Sequence, residues 1–419
     1  MSKYIVMDIV FYGNSLNYDQ GAGNYQELKK ITKWDGRQYT LVSRYALRYS
    51  LLETARKMGI WNIAEGSKLQ RAGEGDQTVI QPSDIVLLSG EILKYPEFDL
   101  FGYLITSTNP QNFRAAPVKI SHAVSLTPFN YDALFNANIG LANRMRKTTG
   151  GMDPNPFTSE EHEAYYQYNI VVDVDNIGKI EVYLAKTIKD GNTQRTIDQI
   201  KIDKDKEGNA DIKIQYSGKK EAIEFRCNNA RDDVSLSKLV LPFKEKDNKI
   251  DYPKELKESG IMNFDENAGA MIIEYKLNNE KIKERVRELI RTILNLKRSI
   301  KGRDEDLSPK VLVVGLYNKH PYKTFRDKIF LKDEYKEESY DEIVEEELEN
   351  GKKIIKVKHV ISKSRKPIFE IKGLNAECKK IIEKDVLNFI DEIFDDEKEL
   401  ERVKVFYDPS VEVEITNKL

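Results

Sequence analysis

The first apolar pattern in this chain has a period of two. From Lys3 to Tyr12, Ile5, Met7, Ile9 and Phe11 point one way, and Tyr4, Val6, Asp8, Val10 and Tyr12 the other. One wholly apolar face predicts a strand covered by helices on that side. The period then lengthens. Between Ser43 and Met58, Leu47, Leu51, Ala55 and Met58 recur at helical spacing, a stripe that would cover the sheet. Ser43 is suited to cap that helix, because its hydroxyl can accept from a free amide of the first turn. A second strand is predicted over 117–126, with Val118, Ile120, His122, Val124 and Leu126 on one face, and a third over Tyr166–Val174. The clearest helix runs from Lys281 to Ile300, with Val286, Leu289, Ile290, Ile293 and Leu296 on one stripe. Pro309–Tyr317 reads as a final buried strand. Stripped of the segments between, the order is β-α-β-β-α-β. That is the split βαβ, ferredoxin-like order of an α+β fold, shared with RNA-recognition folds.

The intervening segments read differently. Residues 59–116 carry recurrent Gly, Pro, Ser and Asp and only short, broken helical patterns, as an insertion would. Residues 127–166 lack a sustained pattern, and the Gly150-Gly151 pair and alternating Pro154 and Pro156 mark an exposed excursion with a turn at its tip. Residues 176–280 hold short strand-like runs, such as Lys179–Ala185 and Asp211–Tyr216, between polar turns. Past residue 330 an acidic block, Asp333–Glu349, meets a basic one, Lys352–Lys366, which reads as solvated faces or a mutually paired hairpin. Cys378–Phe394 then has the pattern of an amphipathic helix.

Composition narrows the class. The chain has 419 residues, 40% hydrophobic and 32% charged, the balance of a globular protein rather than a disordered one. No apolar run approaches the roughly 20 residues that cross a bilayer, and Asp8 interrupts the one candidate signal-peptide core. The two cysteines, Cys227 and Cys378, are far apart, which fits a reducing cytoplasm better than a disulfide scaffold. The net charge is −2, but residues 1–150 hold 17 Lys and Arg against 13 Asp and Glu. A local basic surface is therefore allowed in the first part, and phosphate attraction depends on such clustering.

Most familiar chemistry is missing from the sequence. There is no G-x-x-x-x-G-K-[ST] phosphate loop and no G-x-S-x-G. His122, His162, His320 and His359 are isolated from one another, so no metal-ligand set of three or four is in sight. His122, on an apolar strand face, reads as a core residue. Asp203-x-Asp205-x-Glu207-Gly208 resembles the start of a calcium loop, but its twelfth position is Ile214, and it reads as a hairpin turn. No cofactor is expected.

The positive signals are basic and aromatic. Arg44 and Arg48 lie one turn apart at the start of the first helix and share a face. The preceding loop supplies Lys29, Lys30, Lys33 and Arg37, with Asn17 and Asn24 as neutral hydrogen-bonding groups and Trp34, Tyr39 and Tyr45 as stacking surfaces. A second cluster, Arg144, Arg146 and Lys147 beside Met145 and Met152, suits an element that grips a nucleic-acid backbone and wedges between bases. A solvated helix face and a mobile surface loop are the plainer alternatives for the two clusters.

The words Gly-Asn-x-x-Asn (13–17), Gly-Asn-Tyr (23–25), Lys-Lys-Ile-Thr-Lys-Trp-Asp-Gly (29–36) and Val-Ser-Arg-x-Ala-Leu-Arg-x-Ser-Leu (42–51) resemble the backbone subunit of type I-B CRISPR Cascade complexes, the DevR-like branch of the RAMP superfamily. A weaker similarity continues through Ser121–Pro128, Tyr168–Val174 and Val286–Ile300. The resemblance implies a right-hand shape. Its palm would take 1–58, 117–126, 167–175 and 281–330, its fingers 59–116 and its thumb hairpin 127–166. The β-rich region 176–280 and the charged elaboration 331–419 would be additions. It implies a non-catalytic subunit that polymerises on a CRISPR guide RNA beside copies of itself and other Cascade subunits, meeting target DNA through the guide. On that resemblance Lys33, Arg37, Arg44 and Arg48 hold guide phosphates, and Asn17 and Asn24 shape the loop. Arg144, Arg146, Lys147 and Met152 serve the thumb, with Met152 as wedge. Two other functions compete: metal-dependent cleavage of target RNA, as in type III relatives, through Asp19, Glu27 or Asp35, and a regulatory scaffold with protein partners alone.

Overall fold

The two-residue period of the first segment becomes an eleven-residue strand, Tyr4–Asn14, in the middle of a nine-stranded sheet. The structure is a computed structural model and describes residues 2–150, 155–227, 233–246, 249–318, 322–332, 335–349, 352–395 and 399–416. Glu163–Asp173 flanks the first strand on one side, Ile9 opposite Tyr168, and Val311–Tyr317 on the other, Val6 opposite Gly315; both pairings are antiparallel. Val118–Ile120 and Ala123–Ser125 pair in turn with Glu163–Asp173. Gln38–Val42 and Lys30–Thr32 extend that edge. The fold is mixed α+β.

One face of the sheet is covered as its pattern predicts. Ser43 caps the helix Arg44–Lys57, its hydroxyl accepting from the Ala46 amide at 3.2 Å. Leu47, Leu51 and Ala55 pack in one core with Ile5, Met7, Ile9 and Phe11. Val286, Leu289, Ile290 and Ile293 of the helix Asn279–Leu294 complete that core. This helix stops before Ile300. Asn295 caps its end by donating to the Arg291 carbonyl at 2.9 Å, and Lys297–Ile300 turns into a hairpin with Arg303–Asp306.

The other face is covered as well. Tyr4, Val6 and Val10 pack with Phe325, Ile329, Phe369, Ile371 and Val411, brought by the small sheet of Ile329–Lys332, Ile368–Lys372 and Glu412–Thr416. The region past 330 is therefore more than charged blocks. It supplies the second layer of the core, because the even-numbered positions of the first strand are also mostly apolar and need a cover. It extends the main sheet too. Glu401–Tyr407 pairs with Val311–Tyr317, so the latter is an interior strand and not the last one. Cys378–Phe394 is a helix only over Glu383–Asp391; Glu377–Lys380 is an edge strand. The acidic and basic blocks are the two strands, Tyr335–Glu349 and Lys352–Arg365, of one antiparallel hairpin.

Residues 59–116 form short helices, Asp84–Leu88 and Pro96–Phe101, and two small hairpins. A buried ionic node ties them to the core. Asp99 accepts from Arg114 Nη2 at 2.7 Å, from Arg285 Nη1 at 2.5 Å and from the Gly178 amide at 2.9 Å. Among the described residues, no helix is long and apolar enough to cross a membrane.

Candidate functional site

The glycine-rich loop after the first strand is held from two directions. Asn17 Oδ1 accepts from the Ser43 amide at 2.9 Å, and its Nδ2 donates to the Tyr18 carbonyl. Asn17 thus fixes the loop against the start of the first helix. Asn24 is exposed, and its backbone carbonyl accepts from the Thr158 amide at 2.9 Å. Next to it Tyr25–Gln26 joins Ala133–Asn136 and Phe157–Glu160 in a three-stranded sheet. Glu160 is the joint. It is buried, and accepts from Lys30 Nζ at 2.6 Å, the Leu28 amide at 2.8 Å and the Tyr25 hydroxyl at 3.1 Å.

That framework presents a row of cations. Lys33 lies over the Tyr39 ring, 3.7 Å from its centroid, and donates to the Ser125 carbonyl. Partial burial and the charges of Arg326 and Arg37 hold its pKa below the usual lysine value. The Arg44 guanidinium lies over Tyr45, and Arg48 lies over Phe101 at 5.1 Å. These side chains, with Val118, Lys119 and Ile120, line a groove of about 310 Å³. Arg326, from the segment after the Val311–Tyr317 strand, is exposed and close enough for its charge to depress both Lys33 and His122. Among the described residues, none of Lys33, Arg44, Arg48 and Arg326 is within ion-pair distance of a carboxylate. Cations that lie beside one another with carboxylates only beyond ion-pair distance, Asp35 near Lys33 and Glu97 near Arg48, favour a bound anion. Arg37 differs, since Asp35 accepts from its Nε at 2.8 Å and from the Tyr39 hydroxyl at 2.7 Å.

His122 is not a core residue. The expected second strand breaks at Ser121-His122, the ring is exposed, and its Nδ1 accepts from the Arg44 amide at 3.0 Å. Alternation failed here because the helix N-terminus offers a free amide that a ring nitrogen can satisfy. Arg326 was missed for another reason. Nothing in Phe325-Arg326-Asp327 signals a site, and only tertiary contacts of Phe325 bring it near Lys33.

The second cluster stands apart. Arg144, Arg146 and Lys147 lie on a helix, Ile139–Thr149, that the sequence pattern does not reveal. Ala142 is its one buried residue, so it carries no apolar stripe to read. Met152 lies outside the described residues. Tyr131, Leu134, Phe135, Ile139 and Leu141 around this helix are exposed. Trp34, at the tip of the Lys30–Val42 hairpin, is 97% exposed.

Two of the three candidate carboxylates of the loop are engaged, and Glu27 is exposed. Asp19 pairs with Lys29 at 3.0 Å, and Asp35 is held by Arg37 and Tyr39. Among the described residues, no group of three or more His, Cys, Asp and Glu is placed to hold a metal. The Asp203–Gly208 segment is the turn between two strands, with Asp205 accepting from the Glu207 and Asn209 amides.

A family model described as CRISPR-associated negative auto-regulator DevR/Csa2 matches residues 5–340. A Myxococcus xanthus (strain DK1622) protein, CRISPR-associated protein Cas7/Cst2/DevR, is 26% identical over 164 residues, 36% of this chain and 50% of that relative. The chain thus aligns with half the length of that curated relative. Among solved structures, a chain of a CRISPR RNA-guided surveillance complex is similar at a TM-score of 0.36 and 8% identity, over 77% of this chain and 73% of that one. A chain of a Type IV-B CRISPR Complex is similar at 0.26 and 12%, over 41% and 73%.

Proposed function

This chain belongs to the CRISPR-associated DevR/Csa2 family, and from that premise we propose that it is a non-catalytic, guide-RNA-binding backbone subunit of a type I-B Cascade complex. Copies would polymerise along the CRISPR RNA spacer beside other Cascade subunits, and the guide would pair with target DNA. Base pairing would read sequence, and the protein would hold the backbone and its A-form shape. The observation that carries this reading is the row Lys33, Arg44, Arg48 and Arg326, cations without carboxylate partners on a chain of net charge −2. Arg37, Asn17 and Asn24 belong to the same loop surface. Arg144, Arg146 and Lys147 would close over the RNA from the thumb, with Met152 as wedge. A ferredoxin-like palm is part of the proposal. The neighbour order of Ala123–Ser125, Glu163–Asp173, Tyr4–Asn14 and Val311–Tyr317, all antiparallel, supports it.

The test is co-expression with the candidate guide RNA, followed by the absorbance ratio and particle size before and after RNase. An RNA-rich particle far larger than a monomer that shrinks on digestion is expected. A nucleic-acid-free monomer that ignores guide RNA would overturn the proposal. It would favour a regulatory scaffold, the reading that the family's description as an auto-regulator suggests. Divalent-dependent cleavage of a complementary RNA would favour the type III-like enzyme. The pairing of Asp19 with Lys29 and of Asp35 with Arg37 speaks against those two as its catalytic groups, which leaves the exposed Glu27 as the residue to test.

A further inference from the structure

Asp8 is the one charged residue on the even-numbered positions of the first strand, and it is fully buried. No lysine or arginine is within ion-pair distance of it among the described residues. It is satisfied by neutral donors instead. Oδ2 accepts from the Phe325 amide at 2.9 Å and from Asn169 Nδ2 at 3.0 Å, and Oδ1 from Gln167 Nε2 at 3.4 Å. Asn169 and Gln167 come from the neighbouring strand, so they would hydrogen-bond there whether or not the 322–328 segment were present. The Phe325 amide is different. It belongs to a loop outside any strand, and beyond it the Phe325 ring is buried between the two sheets. A buried carboxylate is costly to keep in a sheet where a valine would serve. Its use here is to clamp that loop. The residue after the clamped amide is Arg326, whose charge reaches Lys33 and His122.

We infer that Asp8 is a positioning residue for the anion-binding row: by holding the Phe325 amide it sets Arg326 near Lys33 and His122, where Arg326 contacts one backbone phosphate of the bound RNA. This inference rests on the RNA-binding reading above, and deepens it by adding a contact from the far end of the chain and a buried residue that aims it. Asp8 itself touches no ligand.

The test uses the full chain and a fluorescein-labelled single-stranded oligouridylate, with affinity measured across a salt series. Arg326→Gln should lower the slope of log K against log salt by about 0.7, the release expected for one single-strand phosphate. Asp8→Val should lower it by the same amount, and the double variant by no more than either. Asp8→Asn should keep the wild-type slope, since its amide oxygen can still accept from Phe325. Should Asp8→Val fail to give a wild-type circular dichroism spectrum, Phe325→Ala loosens the same loop with the strand intact and should reproduce Arg326→Gln. An unchanged slope for Arg326→Gln, beside a reduced one for Arg44→Ala, would overturn the inference and leave the RNA-binding reading standing. Additive losses from Asp8→Val and Arg326→Gln, or an unchanged slope for Phe325→Ala, would overturn it too. Absence of salt-dependent binding by the wild type would instead sink the reading itself.

Discussion

The two basic clusters of this protein share a composition and differ in how they are held. Lys33, Arg44, Arg48 and Arg326 stand on a framework of buried and half-buried bonds: Asn17 to Ser43, Glu160 to Lys30 and Leu28, Asp8 to Phe325. Arg144, Arg146 and Lys147 ride on a helix with one buried residue, surrounded by exposed apolar side chains. The backbone beneath the first cluster is held by tertiary bonds, so ligand binding would cost it less conformational entropy. The second would lose more on binding RNA as proposed, since a short helix with so little packing is marginal by itself. Charge for charge, the two clusters should therefore contribute unequally to affinity.

The sharpest way to break this contrast is at the joint between the regions. Glu160→Ala leaves Lys30 without its partner, and the side chains are only 4% and 15% exposed. Stability should fall by about 3–5 kcal/mol, the usual cost of orphaning a buried charge, read from the urea midpoint at unchanged slope. A loss below about 1 kcal/mol would show that the loop is not held through Glu160. Next in size, Arg44→Ala with Arg48→Ala should weaken RNA binding about tenfold at physiological salt and lower the salt slope by about 1.4. An unchanged slope would remove both from the site. Ser43→Ala should cost about 1 kcal/mol of stability through its lost cap and leave the salt slope alone. Replacing Arg144, Arg146 and Lys147 together by alanine should shift stability by no more than about 0.5 kcal/mol. It should also weaken binding less per charge than the Arg44 and Arg48 pair. Limited proteolysis within 139–149 that RNA suppresses would support the ordering argument. Equal cleavage with and without RNA would refute it.

The smallest effect concerns His122. Local desolvation and the charges of Arg44 and Arg326 hold its pKa below the usual histidine value. The native state then keeps the ring neutral where the unfolded chain protonates it. His122 therefore adds nothing above the unfolded value near 6.5 and subtracts stability as the pH falls below it, fully so below its lowered pKa. His122→Gln should flatten the wild-type pH–stability curve between about pH 7 and 5. Parallel curves would mean that the ring titrates as it does in water.

Much of this was legible from residue patterns. The alternation of Ile5, Met7, Ile9 and Phe11, the Ser43 cap, and the stripe of Leu47, Leu51 and Ala55 stand in the structure as read, while Met58, expected on the same stripe, is the exposed C-cap where the helix ends. Such features depend on neighbours within a turn or a strand, and burial of a regular face imprints its period on the sequence. The helix Ile139–Thr149 escaped because it buries no face, and the break at His122 escaped because a single hydrogen bond to Arg44 overrides alternation. By itself the sequence determined the central strand, the bodies of the two long helices and the strand Val311–Tyr317, and that the first fifty residues carry lysines and arginines in excess. Only the tertiary structure decided that the C-terminal sheet closes the second face of the core. It alone brought Arg326 to Lys33 from nearly three hundred residues away, on a segment whose Phe325 amide bonds to Asp8, a residue that looks in the sequence like an interruption. The reason is physical: periodicity records which side of an element is buried, but not which distant segment buries it.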